Sequence, residues 1–181
     1  NADEAGHSGS ESEVGKVLYN LFHEHEGQRI ITACFASHIH RVQQIADAAI
    51  AHDRVVITLG LSMMKNVKLA RSMGLLKIPD ANLADIEDLG KYPPEKVCVI
   101  STGSQGEAMS ALARMAAGES KWLKVGEGDT VILSSHPIPG NETNVTRVID
   151  GLSRVGCEIV HSGISDVHAT GHAKAEELKT F

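Results

Sequence analysis

Three segments combine small, hydroxyl-bearing and titratable residues closely enough to handle an anion or a proton. The first is Thr102-Gly103-Ser104-Gln105-Gly106-Glu107. Its glycines let a backbone approach a ligand, and Ser104 and Gln105 add side-chain hydrogen bonds. If a helix opens there, its amides favour a phosphate, and Glu107 complements the helix dipole. The pattern is neither GxGxxG nor a Walker loop, so phosphate contact and a plain tight turn both remain open. The second segment is Ser134-Ser135-His136-Pro137-Ile138-Pro139-Gly140-Asn141-Glu142, where two prolines stiffen the loop and Gly140-Asn141 can turn and cap a helix. The third runs from Ser165 through His168, Thr170, Gly171 and His172. It offers a hydroxyl, a flexible backbone and titratable rings, the parts of a phosphate site or an acid catalyst. An HxxxH zinc reading needs both rings on one continuous helix face, and Gly171 between them opposes that.

The other histidines carry less. His23/His25 and His38/His40 are i, i+2 pairs that diverge on a helix. His52 falls in a helix C-terminal turn, where a cation suits the dipole. His7 lies in a Gly/Ser-rich, flexible stretch, and His161 ends a strand. Three cysteines, Cys34, Cys98 and Cys157, stand about sixty residues apart in apolar runs, with no CxxC pair. They read as buried thiols of a reducing compartment, not as a disulfide framework or a zinc set.

These segments need elements to hold them. Short apolar runs at 29–34, 54–59, 96–101, 129–134 and 157–161 read as buried strands. Between them lie helical patterns: one capped by Ser10 or Ser12 and running to about Glu26, one opening at Ser37, then 62–73 ended by Gly74, 106–117, and one carrying Val145, Val148, Ile149, Leu152 and Val155. Residues 79–95 form an acidic, partly helical connection. The alternation predicts a doubly wound, Rossmann-like α/β domain with a mostly parallel sheet and helices on both faces. Ligands of such sheets bind beyond the carboxyl ends of the strands, where all three segments fall.

The chain has 181 residues, the size of one domain, with 17 Lys+Arg against 23 Asp+Glu and a formal net charge of −6. That balance opposes a self-sufficient nucleic-acid binder, although it leaves room for weak or assisted binding. At 42% apolar residues, general disorder is excluded. No apolar run is long enough to span a membrane, and no signal peptide is visible. The missing initiator Met and a last helical pattern that stops at Phe181 predict a piece of a larger protein.

Taken together, ACFASHIHRVQQIADAA, STGSQGEAMSALARMA, GDTVILSSHPIPGNE and DVHATGHAKAEELK resemble the β-CASP domain of bacterial ribonuclease J, a metallo-β-lactamase-type nuclease. They cover nearly the whole chain in the family's order, and the combination of TGSQGE, PIPGNE and HxTGHA is specific. The resemblance implies a single β-CASP domain over 1–181, inserted within a metallo-β-lactamase domain. It implies a zinc-dependent ribonuclease with two metal ions, acting 5′-to-3′ on monophosphorylated RNA and also endonucleolytically, in cytoplasmic RNA processing and decay, and homo-oligomeric when full length. The family's HxHxDH zinc signature is missing here, so this chain would bind no metal of its own and would not cleave RNA alone. His172 resembles the family's β-CASP catalytic histidine. Thr170 and Gly171, with His168, resemble part of a phosphate-binding turn, and Ser104 and Gln105 resemble RNA-channel residues. Two departures stand out: Leu61 lies in Gly-Leu-Ser-Met where an arginine is common, and His136 stands where a serine is commoner. A free-standing phosphate- or phosphosugar-binding Rossmann-like module is the alternative that the residues allow.

Overall fold

A computed structural model describes residues 2–161. The chain forms helix α1 (Ala2–Glu24), strand β1 (Arg29–Ala33), α2 (Ile39–Ala51), β2 (Val55–Leu59), α3 (Leu61–Ser72), a two-residue β3 (Leu83–Ala84), β4 (Val97–Ser101), α4 (Ala111–Ala116), β5 (Asp129–Leu133), α5 (Glu142–Arg154) and β6 (Glu158–Val160). Three short 3-10 turns, at Asp80–Asn82, Ile86–Lys91 and Pro94–Lys96, fill the acidic connection.

The strands make one sheet in the order β3-β2-β4-β1-β5-β6, and every recorded pairing is parallel. The predicted α/β architecture is therefore the observed one. Alternation along each strand splits the core in two. Ile30, Val56, Cys98, Ile100 and Ile132 face α1, α2 and α3. Ile31, Ile57, Val99, Val131 and Leu133 face α4 and α5. Burial on both faces explains why these strands are nearly continuous apolar runs.

Two expectations about helices are corrected. Helix α1 begins at Ala2, so the Gly/Ser-rich leader is helical and neither Ser10 nor Ser12 is its cap. Its buried face is Val14, Leu18 and Phe22, so the packed part of the helix lies after the leader, which continues it toward the N-terminus. Helix α4 begins at Ala111, not at Gly106. Its cap is Ser110, whose Oγ accepts from Ala113 N at 3.2 Å, while Thr102 Oγ1 accepts from Ala111 N at 3.2 Å.

The order of strands sets where a ligand can sit. From β1 the chain passes across β4 to reach β2, with α2 on one face. From β4 it passes across β1 to reach β5, with α4 on the other face. The loops leaving β1 and β4 thus diverge to opposite faces, which makes β1/β4 the switch point at which ligands of such sheets commonly bind.

Candidate functional site

The carboxyl edge of the sheet brings together the loops after β1, β2, β4 and β5. In the loop after β4, Ser104 and Gln105 are buried, each 3% exposed. Gln105 joins this loop to the next. Its Nε2 donates to the His136 carbonyl at 2.8 Å, and its Oε1 accepts from Ile138 N at 2.7 Å. Longer contacts reach Ser135 Oγ at 3.4 Å and Asn141 Nδ2 at 3.3 Å. Asn141 holds the N-cap position of α5, yet its side chain makes no capping bond; it turns to Gln105 instead. His136 contributes its carbonyl to this network, and the residue is exposed.

Helix α4 opens four residues past Glu107, so the amides at Gly103–Gly106 belong to a turn, not to a helix N-terminus. Gly106 N is bonded to the Gly103 carbonyl at 3.0 Å. Glu107 therefore lies outside the first turn of α4 and does not complement its dipole. The turn is close-packed. At Gly60, which has φ +102°, an added Cβ would lie 2.9 Å from Thr102 Cγ2, so the backbone of the β2 loop packs directly against the Thr102 side chain of the β4 loop.

The loop after β1 adds residues that sequence reasoning did not single out. Arg41, in the first turn of α2, is 6% exposed. Its Nη1 donates to the Ser134 carbonyl at 2.6 Å and to Ser134 Oγ at 2.9 Å. Its Nε donates to Gln44 Oε1 at 3.0 Å, and Glu11 Oε1 lies 3.5 Å from Nη2. The β1 and β5 loops are thereby tied together as the β4 and β5 loops are by Gln105. His38, and not Ser37, holds the cap position of α2, without a side-chain bond. Burial, and then the Arg41 charge, push its pKa down, so it is neutral at pH 7. His40 is exposed, with Nε2 3.8 Å from Glu11 Oε2. A buried arginine in an amphipathic helix was the available signal for this cluster.

A groove of about 790 Å³ opens beside these loops, between the start of α3 and the segment leading into β5. It includes Leu61, Thr102, Glu107 and the only tryptophan of the sequence, Trp122. Trp122 too escaped the sequence reading, although a single indole in a polar stretch, ESKWLK, was a visible cue.

The remaining predicted residues, His168, Thr170, Gly171 and His172, lie outside the described residues. Among the described residues, no three of His, Cys, Asp or Glu gather as a metal-binding group, so what is described does not fit a zinc pair. Cys34, Cys98 and Cys157 are unpaired and buried. Burial pushes the thiols of Cys34 and Cys98 up to about 12 and that of Cys157 to about 11, which removes them as thiolate nucleophiles or ligands near neutral pH. Among the described residues, no helix is long and apolar enough to cross a membrane.

An all-parallel sheet wound on both faces, with interlocked loops over a β1/β4 switch point, defines an α/β domain of the Rossmann-like class. Residues 27–152 match the family model described as Ribonuclease J, beta-CASP domain, and the chain belongs to that family. It is 48% identical to Ribonuclease J of Mycolicibacterium smegmatis and 47% to that of Mycobacterium tuberculosis, in each case over 98% of this chain and 32% of the relative. It is 42% identical to Ribonuclease J of Thermus thermophilus over 99% of this chain and 31% of the relative. The chain thus spans about a third of the length of these relatives.

Proposed function

We propose that this chain is the RNA-handling β-CASP part of a zinc-dependent ribonuclease, inserted within a metallo-β-lactamase domain of a longer protein. Membership of the ribonuclease J β-CASP family over nearly the whole chain is the observation that carries this reading. The bound RNA would carry a 5′-monophosphate and be degraded 5′-to-3′ or cut internally, in the cytoplasm, by a homo-oligomeric enzyme.

In this reading His172 acts as a general acid toward the leaving oxygen, because an imidazole titrates near working pH and holds a proton ready for transfer. By the family resemblance, His168, Thr170 and Gly171 would contribute to binding the RNA phosphate. Ser104 and Gln105 serve the RNA channel by shaping it: Gln105 is committed to the 134–141 loop, so it positions the channel wall. The zinc ligands belong to another part of the longer protein. The phosphosugar-module alternative loses its main support, since the amides of the Gly103–Gly106 turn do not open a helix.

A cleavage assay on labelled RNA with zinc or manganese tests the reading. The 181-residue chain alone should release no product. Robust metal-dependent cleavage by it would overturn the dependence on another domain. In a longer protein containing the chain, His172→Ala should lower turnover by about 10²–10⁴-fold, the usual worth of a positioned acid. Near-normal turnover removes His172 from the mechanism.

A further inference from the structure

The groove beside the β2 and β4 loops has a chemistry of its own. Trp122 is 42% exposed there, and Leu61 and Met109 are 88% and 74% exposed. Large apolar side chains left open in one concave place mark a contact surface, whereas scattered ones do not. The ring of Trp122 is covered by a cation: Lys121 Nζ stands 4.9 Å from its centroid. Arg114 lines the same groove, and so do Glu87 and Glu107. Two cations and two carboxylates leave it with no net charge from these four residues, so it is not a site for a bare anion.

A half-exposed indole with cations beside it suits a flat, polar-edged ring. A nucleobase stacks on such a face whatever its sequence. The flanking Lys121 and Arg114 can meet the adjoining phosphates, and carboxylates can accept hydrogen bonds from exocyclic amino groups or ribose hydroxyls. The groove lies at the carboxyl edge, beside the turn that holds Ser104 and Gln105. We propose that Trp122 is a stacking platform for a nucleobase of single-stranded RNA, with Lys121 leaving the ring for the phosphate when the base arrives. This rests on the RNA-handling reading above and adds to it a named subsite.

Trp122 reports on itself, because it is the only tryptophan in the sequence. The 181-residue chain is titrated at low ionic strength with a 5′-monophosphorylated oligoadenylate, with an abasic strand of equal length and with inorganic phosphate. The indole emission should change saturably with oligoadenylate alone. Anisotropy of a fluorescein-labelled oligoadenylate should show Trp122→Ala binding about 5- to 150-fold more weakly, the range for losing one base–aromatic stack. Trp122→Phe, which keeps a ring, should bind close to wild type, and circular dichroism checks that both variants fold. Salt dependence should be shallow, because few phosphates are neutralised.

Binding of the labelled strand with unchanged indole emission, or with no loss in Trp122→Ala, overturns this inference and leaves the RNA reading standing. Failure of the labelled strand to bind at all overturns this inference, while the RNA-handling reading stands or falls by the cleavage assay on the longer protein. Emission that shifts with chain concentration and ignores RNA marks the groove as a contact between copies and also overturns the inference.

Discussion

Replacing Gln105 by alanine should cost about 2–3 kcal/mol of stability, and most of that comes from two bonds. The bonds to the His136 carbonyl and from Ile138 N, at 2.8 and 2.7 Å, are well formed, and each contributes about 1 kcal/mol net. The contacts at 3.4 and 3.3 Å are credited with nothing. Gln105 is itself 3% exposed, so losing its buried Cγ methylene adds roughly 0.8 kcal/mol. Ile138 is 49% exposed, so water can take over part of the orphaned amide's bonding, which keeps the total below the cost of two fully buried orphans. Gln105→Glu separates the two bonds. Its carboxylate still accepts from Ile138 N, but an oxygen now faces the His136 carbonyl where an N–H stood. That repulsion raises the folded-state pKa of the introduced carboxyl. A raised pKa contributes stability below the unfolded value of about 4.3 and loses it as pH rises through the folded value. The variant should therefore approach wild type in acid and fall behind it at pH 7. Urea denaturation gives the free energies, and hydrogen exchange at Ile138 reports the loop directly. A Gln105→Ala chain within about 0.5 kcal/mol of wild type, well under the two-bond worth, with unchanged exchange at Ile138, would refute the idea that this side chain joins the loops.

Three further outcomes are expected. Arg54 is 1% exposed and donates to the His25, Glu26 and Val97 carbonyls at 3.0, 3.2 and 2.9 Å; Arg54→Leu should cost about 2–4 kcal/mol in urea denaturation and speed exchange in the turn that follows α1, and a stability change near zero would contradict this. Gly106→Ala adds a Cβ within 2.7 Å of Val145 N at φ +72°, so it should destabilise by more than the roughly 1–2 kcal/mol of a left-handed alanine alone, visible as a lowered Tm; an unchanged Tm would show that the turn yields freely. The three thiols ordinarily ionise near 9.0 and are held up to about 11–12 in the fold, so they favour the native state fully below pH 9.0 and lose that contribution as pH rises through about 11–12. Urea midpoints across that window should fall less steeply in Cys98→Ala than in wild type, and iodoacetamide at pH 8 should leave all three unlabelled until the chain unfolds, as read by mass spectrometry.

The five longer strands were legible because a parallel strand covered on both faces must be apolar along its length: RIITA, VVITL and VCVIS leave no alternation to misread. The two-residue β3 was not, since Leu83–Ala84 carries no periodicity and pairs only because Val56 and Ile57 lie beside it. The start of α1 was hidden by glycine and serine, whose weak helix propensity points away from a helix there, while the packed face of Val14, Leu18 and Phe22 begins only later. The start of α4 was misplaced because Gly106 and Glu107 look like a helix opening, while the actual cap is Ser110, whose Oγ accepts from Ala113 N, and Thr102 Oγ1 accepts from Ala111 N at the first position of the helix.

The same division runs through the site. Local composition by itself determined that this is an α/β chain, that TGSQGE and SSHPIPGNE are loops after strands, and that the thiols are buried, because each of these depends on neighbours within a few residues. Only the tertiary structure decided that Gln105 reaches across to Ile138, that Arg41 reaches Ser134, and that Trp122 opens into a groove with Leu61. Those pairs are 33, 93 and 61 positions apart. Their meeting follows from the order β3-β2-β4-β1-β5-β6, a choice among strand arrangements that bury the same apolar faces and that no single segment can encode.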